Sequence, residues 1–247
     1  MSAAVFAEGV DAGRPWLAPY ALPDALAGAA SVAEALNRRR TGEVRFVPQA
    51  ALPAGEAYEQ FIFRTRCVPT RDNLHDFFNG LVWLHCPLAK RQLNALQAES
   101  IERDGVGAVR GPLRDAATLF DENGAVLDAP PALWEALLAR DWHRLFVTQR
   151  AMWCDARLRV FGHALLEQLA RAPRKALTAH VLRAPGDVPA IAVDDAAIAA
   201  ALQAGHLATK PFTPLPVLGV PGWWPANEAP GFYADAAVFR PPRSPLR

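Results

Sequence analysis

The sequence has no excess of charge of either sign and no long hydrophobic run. It contains 26 Lys and Arg against 25 Asp and Glu, which gives a formal net charge of +1. This balance supplies no long-range field to attract nucleic acid or anionic lipid, so general nucleic-acid binding is not expected. No run of about 18 uncharged apolar residues occurs, so we expect no membrane span. A small-molecule ligand is the partner class that stays open.

Cysteine is scarce as well. Cys67, Cys86 and Cys154 are an odd number at wide spacing, which argues against a disulfide framework or a zinc clamp. Near the N-terminus, Glu8 and Asp11 interrupt the apolar run that a signal peptide would need. We therefore expect a soluble, cytoplasmic protein with free thiols.

Familiar catalytic motifs are missing too. The chain has no GxSxG elbow, no glycine-rich phosphate loop of standard spacing and no HExxH. The segment "DFFNGLVWLHCPLAK" is faintly similar to the Asn-Leu-x-Trp helix of His-Asn-His endonucleases, but no histidine precedes it at the distance that a ββα metal site needs. A divergent nuclease is thus the least favoured alternative, and no cofactor can be named.

The segments that are present favour a helix-rich α+β fold. Helical spacing occurs in "SVAEALNRRR", "LAKRQLNALQAESI", "PPALWEALLARDW" and "DDAAIAAALQAG", while "EVRFVP" reads as a short strand. Helical segments outnumber strands, and no regular βαβ alternation is visible. We expect a single domain over residues 1–247, with an irregular lead over residues 1–22 and a small antiparallel sheet.

Two segments carry more specific structural expectations. In "RDAATLFDENGAVL", Asn123-Gly124 can supply the positive φ of a tight turn, which predicts a β-hairpin. From residue 210 to 247 the chain holds nine of its 22 prolines together with several aromatic residues. Proline excludes mainly regular structure there, and the aromatic density favours a segment wrapped over the body rather than a disordered tail.

The stretch "VPTRDNLHDFFNGLVWLHCP" holds the main candidate site. It predicts a helix from about Asp72 to His85, broken at Pro87. With 100° per residue, the side chains of Asp72, His75, Asp76 and Asn79 fall within one arc of about 100°. Short polar side chains can be held rigidly, unlike the long Lys, Glu and Arg of a typical solvated face. The arc could therefore line a pocket in which His75 is a base or a metal ligand, with Asp76 orienting its imidazole or holding a cation.

A simpler interpretation of the same arc stays open. Asp72 would then be the N-cap of the helix, Asp76 would complement the helix dipole, and His75 and Asn79 would face water.

Two further residues could complete a site. Asp115 starts the first strand of the expected hairpin, where an ion pair with Arg114 is the alternative to a catalytic role. His163 opens a helix directly after Gly162, which lets backbones approach closely; a buried, hydrogen-bonded histidine is the alternative there. The candidate catalytic residues are Asp72, His75, Asp76, Asn79, Asp115 and His163.

Several segments together resemble an uncharacterised bacterial family, a domain of unknown function. The segments are "VPTRDNLHDFFNGLVW", "RGPLRDAATLFDENGAVL", "FGHALLE" and "PLPVLGVPGWWPANEAPGFYADAAVFRP". They span most of the chain, from about residue 58 to residue 240. The resemblance implies no activity, cofactor or catalytic residue, so function must be argued from the residues themselves.

Two functional hypotheses follow. The first is a soluble enzyme, best described as a metal-dependent hydrolase, with a His/Asp/Asn pocket on the helix that starts near Asp72. The second is a non-catalytic binding or scaffold protein that uses the Trp- and Pro-rich C-terminal surface. An enzyme should place the polar arc in a concave pocket, whereas a binding protein should expose Trp223 and Trp224.

Overall fold

The computed structural model describes residues 9–20, 28–40, 42, 44–105 and 111–241. Part of the irregular N-terminal lead, residues 1–8 and 21–22, therefore lies outside the described residues, as does the end of the C-terminal segment, residues 242–247. Within the lead, Pro15–Tyr20 forms a 3-10 helix whose residues Trp16, Leu17 and Tyr20 are buried.

Helices dominate the described part of the chain, which confirms the helix-rich α+β expectation. The helices are α1 (Val32–Arg38), α2 (Tyr58–Thr65), α3 (Leu74–His85), α4 (Pro87–Asp104), α5 (Pro112–Asn123), α6 (Pro131–Leu138), α7 (His163–Arg171), α8 (Asp195–Ala201) and α9 (Ala204–Ala208). Shorter turns of helix are the 3-10 segments Gln49–Ala51, Arg150–Asp155, Val217–Gly219, Pro225–Glu228 and Pro230–Ala234, and the π-helical segment Arg144–Thr148.

The strands form two small sheets. The strands are β1 (Arg45–Pro48), β2 (Cys67–Thr70), β3 (Gly124–Asp128), β4 (Arg157–Val160), β5 (Thr178–Leu182) and β6 (Phe212–Pro216). β1 and β2 pair in parallel, and the other four form a sheet of order β4-β3-β5-β6. The larger sheet is mixed: its outer pairs β3–β4 and β5–β6 are antiparallel, while its central pair β3–β5 is parallel.

The hairpin expected around Asn123-Gly124 is wrong. Its first half is helix α5, which begins with Pro112 at the first helical position, where proline is favoured. Ala116, Ala117 and Phe120 are fully buried at helical spacing. Gly124 has φ −74° and starts β3 directly, so the Asn-Gly pair ends a helix and does not reverse the chain. Because the buried apolar residues before Asn123 recur at helical spacing, this part of the segment folds as a helix despite the turn-forming Asn-Gly pair.

The proline- and aromatic-rich C-terminal segment packs on the body. It contributes strand β6 to the sheet, and Phe232 and Phe239 are buried in the same hydrophobic cluster that contains Trp16. Tyr233 stacks on Phe146 at 5.3 Å between ring centroids. The aromatic side chains of the tail therefore lie largely inside the protein.

The structure also bears on the expectations about membrane spans and cysteine pairing. Among the residues that the structure describes, none of the helices has both the length and the apolar character to cross a membrane. Cys67, Cys86 and Cys154 are unpaired, and Cys86 is the buried one.

Candidate functional site

A cavity of about 500 Å³ opens between α2, α3, α4 and α5, with the start of α7 at one side. Several of its walls are polar. The lining residues from these helices are Tyr58, Glu59, His75, Asp76, Asn79, Gln97, Ile101, Arg114, Thr118, Asp121, Glu122 and His163. Four of the six candidate residues, His75, Asp76, Asn79 and His163, therefore line one cavity.

His75 and His163 approach each other across this cavity. Their Nε2 atoms are 3.0 Å apart. The Nδ1 atom of His75 lies 3.0 Å from Oε2 of Glu167. A carboxylate only accepts hydrogen bonds, so the proton of neutral His75 belongs on Nδ1, and its Nε2 lone pair points at His163.

The protonation of His163 admits two arrangements. A proton on Nε2 would be donated to His75, but it would leave the Nδ1 lone pair 3.7 Å from Oδ2 of Asp121. A proton on Nδ1 would face the Asp121 carboxylate favourably and would bring two Nε2 lone pairs within 3.0 Å of each other. The second arrangement needs a positive charge between the two rings, supplied either by a metal ion or by a second proton on His75.

Glu122 completes the cluster. Its Oε2 atom lies 3.5 Å from Nε2 of His163, and one ligand atom from each of His75, Glu122 and His163 lies within 4.8 Å of the others. Two ligand atoms on one tetrahedral zinc-like ion, each about 2.0–2.2 Å from the metal, lie about 3.3–3.6 Å apart. The distances from Nε2 of His163 to His75 and to Glu122, 3.0 and 3.5 Å, are close to this separation.

A buried lysine supports the side of the cluster next to His163. Lys90 on α4 donates to Oδ1 of Asn79 at 2.8 Å and to Oδ1 of Asp121 at 2.5 Å, and the lysine is only 4% exposed. Asn79 donates onward to the hydroxyl of Tyr58 at 3.2 Å. Asn79 therefore belongs to a buried network beneath the cavity, in which Lys90 fixes the carboxylate that faces His163.

Asp76 does not orient His75, contrary to the expectation. Its carboxylate accepts hydrogen bonds from the backbone N–H, Nε and Nη2 of Arg71, at 2.7, 3.1 and 2.8 Å. The carboxylate next to His75 is Glu167, on α7. A planar guanidinium matches a carboxylate in two places, so Arg71 outcompetes the imidazole for Asp76.

Asp72 and Asp115 lie outside the cavity lining. The N-cap of α3 is Asn73, whose side chain accepts from the N–H of Asp76, so the expectation that Asp72 caps this helix is wrong. Asp72 instead accepts from the N–H of Val32 at the start of α1. Asp115 lies in the first turn of α5, not on a strand, and its exposed carboxylate is 3.6 Å from Nζ of Lys210.

Burial sets the charge states of the cluster. Desolvation lowers the pKa of His163 to about 4, which makes its imidazole neutral near pH 7. Desolvation also raises the pKa of Glu122 above its ordinary value. For Asp121, burial raises the pKa, but the charge of Lys90 and its hydrogen bond to the carboxylate outweigh burial, so the pKa is lowered and the carboxylate stays ionised.

Gly162 allows the two halves of the cluster to meet. A Cβ atom at this position would lie 2.5 Å from the Cα and N atoms of Asn123 and from the carbonyl oxygen of Glu122. The N–H of Gly162 donates to the carbonyl of Gly124 at 2.8 Å. Only glycine lets the start of α7, with His163, approach the end of α5, with Glu122, this closely.

The sequence argument missed Glu122, Glu167, Asp121 and Lys90. Glu122 was assigned to a turn, although the helical period of α5 would have placed it near Thr118. Glu167 follows His163 by four residues on α7, so both face the same way. This spacing is the sequence feature that could have identified Glu167 as a partner of the site. No sequence feature indicates a role for Lys90, because a single lysine on a helix is usually solvated.

Comparison with known proteins places the chain in a family without assigning an activity. A family model described as "Protein of unknown function (DUF3025)" matches residues 44–243. The chain therefore belongs to this family, and the resemblance inferred from its motifs is confirmed. None of the curated proteins matches the chain. The solved structures likewise contain no match.

Proposed function

We propose that this member of the DUF3025 family is a metal-dependent hydrolase whose divalent transition metal is held by His75, His163 and Glu122. The observation that carries the proposal is the convergence of two imidazole Nε2 atoms, 3.0 Å apart, and one carboxylate at the wall of a 500 Å³ cavity. Two histidines and one glutamate form the protein ligand set of many catalytic zinc sites, where a further position stays open for water or substrate.

The groups behind the ligands support this assignment. Metal-bound histidines usually donate their second N–H to a carboxylate, which fixes the ring and raises its basicity. Glu167 stands in this position for His75, and Asp121, held by Lys90, faces Nδ1 of His163. Both rings thus have a carboxylate on the side away from the proposed ion.

We favour hydrolysis over oxidation because hydrolysis needs fewer reactants. The same ligand set also binds iron in oxygenases, but those reactions require dioxygen and an electron donor. A bound zinc-like ion would lower the pKa of a coordinated water and polarise a carbonyl or phosphoryl oxygen. Hydrolysis then needs only water and substrate.

The alternatives have less support. A contact surface on the C-terminal segment would need exposed aromatic rings, whereas Trp223 and Trp224 are half-buried and Phe232 and Phe239 are buried. A ββα nuclease site would need a strand-borne histidine, whereas the histidines that line this cavity, His75 and His163, both lie on helices.

Metal analysis tests the proposal. Protein purified without chelator and dialysed against zinc should retain about one equivalent per chain by elemental analysis. His75→Ala and Glu122→Gln should lose it, while His143→Ala, which changes an exposed histidine outside the cavity, should retain it. Hydrolysis of a panel of ester, amide and phosphoester substrates should be abolished by chelator and restored by zinc. Equal metal content in wild type and His75→Ala would refute the proposed site.

A further inference from the structure

The face of α5 that lines the cavity carries side chains of opposite charge at its two ends. Arg114, Thr118 and Glu122 are spaced by four residues and all line the cavity, so they form one face of α5. Glu122 lies at the C-terminal end of this face and Arg114 in the first turn. The two positions are separated by eight residues, which is about 12 Å along the axis.

Among the described residues, Arg114 has no carboxylate at hydrogen-bonding distance, although its charge acts on Glu59 in the same cavity and on Asp104. Arg71, the other arginine of the lining, is neutralised by three hydrogen bonds to Asp76. Arg114 forms no ion pair within the described residues; its Nη1 atom makes one long contact of 3.5 Å with the carbonyl of Gly105. Its Nε atom is buried and has no hydrogen-bond partner among them.

Arg114 lines the cavity and has no carboxylate partner at hydrogen-bonding distance in the described part of the chain, so its Nη atoms can donate charge-assisted hydrogen bonds to a bound oxyanion. The polarity of α5 agrees with this placement. The N-terminal end of a helix favours an anion and its C-terminal end favours a cation. On α5 the first end carries Arg114 and the second carries Glu122, the proposed metal ligand.

We propose that the substrate carries an oxyanion, a carboxylate or a phosphate, that Arg114 binds at the end of the cavity away from the His75–Glu122–His163 cluster. This inference rests on the proposed function for the position of the reacting bond. It narrows the substrates to anionic molecules whose charged group lies several bonds from the bond that is cleaved. Leu52 and Ile101 also line the cavity, so an apolar linker between the two groups fits it.

Linear dicarboxylates provide a probe that needs no known substrate. Succinate to sebacate should be titrated calorimetrically into zinc-loaded protein, each beside the monocarboxylate of equal chain length. One carboxylate can reach the zinc and the other Arg114, so at the best length the dicarboxylate should bind roughly tenfold tighter or more, the effect expected of a charge-assisted hydrogen-bonded pair. The corresponding ω-phosphono acids would show whether phosphate is preferred over carboxylate.

Arg114→Gln should abolish this preference and leave zinc content and monocarboxylate binding unchanged. Arg114→Lys should restore part of it, because a lysine supplies charge without the fork. Arg103→Gln, which changes an exposed arginine paired with Asp104, is the matched control and should keep it.

Failures of the two proposals are distinguishable. Zinc bound through His75 together with an unchanged dicarboxylate preference in Arg114→Gln would overturn the anion site alone. If zinc does not bind, the metal site fails, and the anion site is then tested on metal-free protein. There the anion site stands if wild type binds the monocarboxylate and the dicarboxylate and Arg114→Gln weakens binding of both, and it falls if wild type and Arg114→Gln bind them alike.

Discussion

The cavity and the C-terminal segment both bury polar groups, but they satisfy them differently. In the C-terminal segment, Asn227 donates to the carbonyls of Leu218 and Val220, and the hydroxyl of Tyr233 donates to the carbonyl of Gly219. In the cavity, two histidine Nε2 atoms meet at 3.0 Å. The tail completes its hydrogen bonds within the protein, whereas the cavity leaves Nδ1 of His163 and Nε of Arg114 without a partner among the described residues.

On the proposed function, the tail residues stabilise the fold and the cavity residues bind a ligand. Buried polar groups are normally hydrogen-bonded, so an exception needs a specific explanation. Arg150 illustrates the rule in the tail, where it contacts Asn227, Glu228 and Tyr233. In the cavity, Nε of Arg114 and Nδ1 of His163 are exceptions, because both are buried and lack a partner among the described residues. We therefore expect tail substitutions to affect stability and cavity substitutions to affect binding.

Phe239→Ala should have the largest effect on stability. Phe239 is 5% exposed and packs against the rings of Trp142, Phe146 and Phe232. Truncating a buried phenylalanine costs about 3–5 kcal/mol, so the free energy of unfolding from urea titrations should fall by that amount while zinc content stays at the wild-type level.

Glu228→Gln, which removes an exposed ion pair with Arg150, is the control for this measurement and should cost less than about 1 kcal/mol. If Phe239→Ala cost no more than Glu228→Gln, the C-terminal segment would be loosely attached, and the contrast with the cavity would disappear.

Gly162→Ala should affect both stability and metal binding. Its Cβ atom would be forced within 2.5 Å of backbone atoms of Glu122 and Asn123, and relief of that overlap must separate α7 from the end of α5. Overpacking of this kind costs about 1–3 kcal/mol, and a shift of His163 away from Glu122 should weaken zinc binding. Urea unfolding and zinc titration of the same preparation measure the two effects.

Gly205→Ala provides the matched control, because a Cβ atom there has no neighbour within 4 Å. It should leave both quantities unchanged within about 0.5 kcal/mol. A Gly162→Ala protein that lost stability but bound zinc as tightly as wild type would show that the approach of the two helices is structural only.

The sequence predicted the fold class, and it predicted the residues on α3 better than their partners. The arc of α3 was visible because helical spacing is a local property, and it placed His75 and Asn79 on one face. The partners of those residues come from distant parts of the chain: Glu167 is 92 residues from His75, and Lys90 reaches Asp121 across 31 residues. Such contacts depend on how α3, α4, α5 and α7 pack, which the period of one helix does not determine.

The errors had local causes. Asn123-Gly124 is a strong turn signal, but the buried period of Ala116 and Phe120 fixed that segment as helix. Asp72 is a good capping residue by type, yet the neighbouring Asn73 has the extended backbone and the bond to Asp76 that define the cap. In both cases two valid local preferences competed, and tertiary packing decided between them.

Glu59→Gln should have the smallest of these effects, and it tests whether the cavity holds ionisable groups at a cost to stability. Burial raises the pKa of Glu59 from 4.5 to about 7, with a further contribution from Asp121, while Lys90, Asn94 and Arg114 act in the opposite direction. Since the folded state holds this proton more tightly than the unfolded state, the contribution of Glu59 to stability declines as pH rises from about 4.5 to 7 and is constant above that range.

The glutamine variant keeps an oxygen that can accept the hydrogen bond from Asn94 and cannot ionise. It should match wild type near pH 4.5 and become more stable by about 1–2 kcal/mol above pH 7, a value reduced from the full shift because part of Glu59 faces solvent. Urea unfolding at several pH values measures the difference between the two proteins at each pH, which cancels titrations that both share. Glu102→Gln, on the exposed face of α4, should stay parallel to wild type throughout. A difference in unfolding free energy that did not change with pH would contradict the prediction. It would show that ionisation of Glu59 does not destabilise the folded protein, and that the cavity in this respect does not differ from the tail.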